Sequence, residues 1–151
     1  MQSKSTSLHT PPTAGDGAVE GLLHGLLAGA IMAAYLAGMS LILGSSPAAL
    51  LARLTTAFNT GATTLLVAHL ALSAFYGVVW GFLYRFLLAR MALPTWLWGV
   101  LYGALLWLLS TLLLPPETAF PFAYTGVAHL LFGLALGLMT TMASRKRQTV
   151  A

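Results

Sequence analysis

Apolar residues fill four long stretches of this chain, at residues 19–43, 62–89, 95–114 and 122–143, and polar or helix-breaking residues separate them. A helix needs about 20 apolar residues to cross the hydrocarbon core of a bilayer, and each stretch is that long. The breaks are Gly44, Ser45, Ser46 and Pro47, then Arg90 to Pro94, then Pro115, Pro116, Glu117 and Pro121. Proline and glycine clusters of this kind end helices. The pattern predicts an all-α membrane protein with a four transmembrane helix bundle. One break has a pattern of its own: Leu50, Leu51, Leu54 and Phe58 recur at helical spacing behind Ser46 and Pro47. Serine suits the N-cap and proline the first helical position. A short outer interfacial helix is therefore predicted there, flat on the membrane surface or as a lid on the bundle, with a plain tether between the first two spans as the alternative.

The overall composition agrees with lipid rather than water as the main solvent. The chain is 58% hydrophobic and 7% charged, whereas soluble domains carry roughly a quarter charged residues. The formal charge of +4 does not point to nucleic acid, because the basic residues lie mostly at helix ends. Lys4, Arg85, Arg90, Arg145, Lys146 and Arg147 fall on one side of four crossings and Arg53 on the other. Positive loops stay inside, so both termini are expected in the cytoplasm, with the chain in the cell inner membrane or plasma membrane. Residues 1–18, rich in Ser, Thr, Pro and Gly, read as a disordered cytoplasmic tail, and 144–151 as a basic one. The first apolar run is long for a cleavable signal and is expected to remain as a helix. Trp96 and Trp98 are expected at the inner interface and Tyr124 at the outer, with Trp80 and Tyr84 as inner anchors. With no cysteine, disulfides, thiolate ligands and thiol nucleophiles are excluded.

The second and fourth stretches share a phrase. Val67, Ala68, His69, Leu70 matches Val127, Ala128, His129, Leu130, and small residues follow at fours: Ser73, Gly77, Gly81 in one and Gly133, Gly137 in the other. The first and third correspond more weakly, with Gly21 to Gly25 set against Gly99 to Gly103. Two similar hairpins are predicted, related by an axis near the membrane normal. Residues four apart lie one above another on a helix, so Gly21, Gly25, Gly29, Ala33 and Ala37 make a stripe along the first helix. Such stripes let helices pack closely in lipid. The His69, Ser73, Gly77 line, the Gly99, Gly103, Trp107 line ending in Pro115 and Pro116, and the Gly126, His129, Gly133 line resemble the YagU-like inner-membrane proteins and related four-helix families of unknown function. The resemblance implies a four-helix membrane fold and no catalytic residues.

Ionisable groups inside a membrane are rare, and each marks a candidate site. His69 and His129 lie at matching positions in their helices, roughly 10 Å below the outer surface at about 1.5 Å per residue. Three uses are open for them. They can hydrogen-bond a neighbouring helix, at a backbone carbonyl or at Ser110 or Thr111; ligate a haem as two axial imidazoles; or pass protons or ions during transport. A two-histidine zinc site lacks ligands. His24 and Tyr102 are expected to form an inner polar layer, and Glu20 and Arg85 an ion pair, unless Arg85 snorkels to the interface. No hydrolytic triad, HExxH or phosphate loop appears, so no catalytic residue or metal ligand is assigned. An accessory or structural membrane subunit is the leading expectation. It would pack against itself as a homo-oligomer, or against a larger membrane complex, through the glycine stripes. An oligomeric transporter or channel for protons or small ions and a haem-binding electron carrier are the alternatives.

Overall fold

The computed structural model describes residues 13–113 and 122–150. The turn expected around Pro115, Pro116, Glu117 and Pro121, and most of the predicted N-terminal tail, lie outside them. The elements are α1 (Ala14–Ile42), α2 (Pro47–Ala57), α3 (Ala62–Phe86), a single 3-10 turn (Leu88–Arg90), α4 (Thr95–Leu113) and α5 (Phe122–Val150). No strand occurs among the described residues. Four of the helices are long and apolar enough to cross a membrane, as the architecture of a multi-pass membrane protein requires.

Two helices extend beyond their apolar stretches. Residues 14–18 are not tail but the first turn of α1. The Thr13 hydroxyl accepts from the Asp16 amide at 3.3 Å, and the Asp16 carboxylate accepts from the Thr13 amide at 2.6 Å. This reciprocal capping box satisfies two backbone donors that would otherwise lack partners. Residues 144–150, expected as a basic tail, continue α5; no proline or glycine interrupts them, so nothing in that segment stops the helix. Ser46 accepts from the Ala49 amide at 3.0 Å with Pro47 in the first turn, and α2 starts where the sequence places it.

α1 packs along α3, α4 packs along α5, and α1 also lies against α5. In the first pair, Gly17, Gly21 and Gly25 meet the backbone of Gly81, Gly77 and Ser73, and Gly29 meets the Ser73 side chain. In the second, Gly99 and Gly103 meet the backbone of Gly133, Gly137 and His129. Contact this close is possible only because Cβ atoms are absent. A Cβ on Gly137 would lie 2.7 Å from the Thr95 carbonyl oxygen. Between lipid-solvated helices such packing replaces the hydrophobic drive that operates in water. At Gly126 the glycine-to-backbone contact ends, and the Trp107 indole fills the space, 3.1 Å from where a Cβ would stand.

The two pairs meet through side chains rather than glycines. Ala28, Trp80, Tyr102, Leu106, Phe132 and Leu136 form the buried cluster between them. Trp80 lies at its centre, 1% exposed, with its ring 5.4 Å from Tyr102 and 6.0 Å from Tyr84. Its indole donates to the Thr140 hydroxyl at 3.0 Å. Trp80 is thus a core residue and not the interfacial anchor expected for it. Around this interior, side chains such as Ile31, Leu72, Phe75, Leu105 and Leu112 turn outward. Taken together, these outward apolar side chains, Leu112 at 82% exposure among them, form a surface suited to lipid or a partner.

Candidate functional site

The two histidines that the repeat places alike have different partners. The His69 ring donates through Nε2 to the Gly29 carbonyl on α1 at 3.1 Å. The His129 ring donates through Nδ1 to the Thr125 carbonyl one turn earlier in its own helix, at 2.8 Å. No hydrogen bond joins the two rings among the described residues. Beside His69 the helices are closed together: a Cβ on Gly29 would be 2.6 Å from the Ser73 Cβ. The Ser73 hydroxyl donates back to the His69 carbonyl at 2.8 Å, which ties the stripe into the same contact.

The glycine contacts set a register that differs from the match in the sequence. Gly25 faces Ser73 and Gly77, and Gly99 faces Gly133 and Gly137. With His69 matched to His129, the counterpart of Gly99 is therefore Gly25, one turn along from Gly21. A stripe that repeats every four residues looks the same after a one-turn slip, and only contact with the facing helix removes the ambiguity. Within this register Tyr102 corresponds to Ala28 rather than to His24. The Tyr102 hydroxyl donates to the Tyr76 carbonyl at 2.9 Å and its ring lies on Trp80. His24, in contrast, faces a crevice that Tyr102 does not line.

That crevice is at the end of the bundle that carries both described termini. It is a half-open space of about 430 Å³ between α1, α3 and α5. Each wall follows from helical spacing. On α1, Gly17, Glu20, Gly21 and His24 stand three, four and seven apart; on α5, Thr140, Ser144 and Arg147 do the same. On α3, Trp80 and Tyr84 share one face, with Gly81 and Arg85 beside them. Tyr84 shares a hydrogen bond with Thr95 at 3.1 Å, which draws the start of α4 to this end.

Glu20 was expected to pair with Arg85, but its partner is Arg147, in an ion pair with both side chains about two-fifths exposed. The cause is the continuation of α5, which carries Arg147 across the end of α1. Arg85 has no ion-pair or hydrogen-bond partner among the described residues, though it lines the same crevice as Glu20. Sequence reasoning overlooked this site because it took 144–151 as tail. The 140, 144, 147 spacing of Thr, Ser and Arg was the available signal. Trp96 remains 46% exposed, as an interfacial ring would be, whereas the Trp98 indole nitrogen is buried without a partner among the described residues.

Together these groups can hold and orient a polar ligand. Among the described residues, no group of three or more His, Asp or Glu side chains is placed to hold a metal ion. Comparison with protein-family models, with curated proteins and with solved structures found no match.

Proposed function

We propose that this chain is a non-enzymatic accessory or structural subunit of the cell inner membrane or plasma membrane. In this reading both termini are cytoplasmic, α2 lies at the outer interface, the two helix pairs are one unit used twice, and the chain is a four-helix membrane protein of the YagU-like kind. The observation that carries it is the use of the membrane-embedded polar groups. Ser73 and His129 donate within their own helices, and His69, Tyr102 and Trp80 each donate to a backbone or hydroxyl group of another helix. Groups bonded in this way hold helices in place, and polar contacts of this kind are worth about 1 kcal/mol each within a membrane.

The expected route to a partner has to be revised. The glycine stripes are occupied inside each helix pair, so a second copy or a larger complex meets the exposed leucines and phenylalanines instead. Purification of the full chain in mild detergent, followed by native mass measurement, tests the proposal. Several copies, or co-purifying membrane subunits, are the expected result. A strictly monomeric and unaccompanied particle would overturn it, as would a haem absorption band lost in His69→Ala or His129→Ala.

A further inference from the structure

We infer that the crevice between α1, α3 and α5 is a binding site for a phosphate group, supplied by a phospholipid headgroup or by a soluble phosphate ester. Two guanidiniums, Arg85 and Arg147, line it against one carboxylate, Glu20. The lining itself carries two positive side chains against one negative; Asp16 in the first turn of α1 acts on both guanidiniums from nearby, and Arg85 has no hydrogen-bond or ion-pair partner among the described residues. A planar guanidinium fork matches phosphate oxygens in pairs, which makes arginine the residue suited to this ligand.

The position fits the same ligand. Arg85 is in the last turn of α3, and the 3-10 turn with Arg90 follows it. This is where an apolar span leaves the hydrocarbon and meets the headgroup layer. Basic pockets between transmembrane helices at this depth hold anionic headgroups. The volume of about 430 Å³ lies within the roughly 300–1,000 Å³ of small-ligand sites. The wall is amphipathic: the half-buried Tyr84 ring and the glycine faces of α1 and α3 offer an apolar surface beside the charges, as a headgroup joined to acyl chains requires. An ordinary snorkelling arginine needs no crevice around it and no second arginine from another helix. Here α5 extends a turn beyond its apolar stretch and brings one.

Native mass spectrometry of the full chain, released from mild detergent, tests the site with three probes: phosphatidylglycerol, glycerol 3-phosphate and inorganic phosphate. One probe molecule per chain is expected, with binding weakened about tenfold or more in R85Q/R147Q. E20Q is expected to bind more tightly, because its carboxylate competes with phosphate for Arg147. R90Q/R145Q, whose charges lie outside the crevice, is expected to bind like the wild type. Binding of the lipid alone assigns the site to headgroups, and binding of a soluble probe assigns it to soluble phosphate esters. Equal binding by wild type and R85Q/R147Q, or weaker binding by E20Q, would overturn the inference. The E20Q arm keeps the test decisive if R85Q/R147Q does not fold.

Discussion

Gly77 and Gly38 are both interior glycines of apolar helices, and their surroundings are opposite. A Cβ at Gly77 would stand 2.8 Å from the Gly25 amide nitrogen and would also strike the Gly21 carbonyl, whereas at Gly38 nothing lies within 4 Å. Backbone cannot yield as a flexible side chain does, so Gly77→Ala must push α1 away from α3. Overpacking of this kind costs about 1–3 kcal/mol. Gly38→Ala only removes the helix penalty of glycine and is expected to stabilise by about 0.5–1 kcal/mol. Reversible unfolding in mixed detergent micelles would show both signs. Equal effects at the two positions would mean that the stripe does not form the α1–α3 contact. Both glycines have neighbours of the same kind in the sequence, so only the facing helix tells them apart.

At the scale of elements, two packing modes divide the bundle. Within each pair, backbones touch through glycine; between the pairs, Trp80 bridges α3 to α5 and sets its ring at a tilt against Tyr102 of α4. The Trp80–Thr140 bond therefore reports on how the pairs dock. Trp80→Phe and Thr140→Val each remove it, and each is expected to destabilise by about 0.5–1.5 kcal/mol. If the bond is the link, the double variant loses less than the sum of the single variants. Strict additivity in the unfolding free energies would show that the two side chains act separately. The length and start of α2 were readable from Ser46, Pro47 and the leucine spacing. The starts of α4 and α3 were also readable, since Pro94 and Gly61 precede them. The start of α1 and the end of α5 were not. Hydropathy marks where lipid begins, and a helix can run on into water wherever a capping box or a breaker-free segment supports it.

At the scale of the molecule, the start of α1 and the end of α5 lie at one face, where Arg147 pairs with Glu20, and α2 joins α1 to α3 at the other. With no native cysteine, single-cysteine variants give a clean readout of orientation. An impermeant thiol reagent outside intact cells is expected to label Ala57→Cys and to spare Thr149→Cys until the membrane is opened. The reverse pattern would turn the bundle over and place Arg53 inside, against the positive-inside rule.

The four crossings are determined by the sequence alone, because apolar length is a property of each segment and needs no neighbour to be measured. The candidate chemistry of His69, His129, Glu20 and Arg85 was visible as residue types at a depth, and no further. Their partners were decided by the tertiary structure. A small-residue stripe reads the same after a shift of one turn, so the contact of Gly25 with Ser73 and Gly77, and that of Gly99 with Gly133 and Gly137, arise only when two helices meet. The pairing of Glu20 with Arg147 in place of Arg85 has the same origin: it joins residues 127 positions apart, and depends on a continued helix whose direction is set by packing on α1.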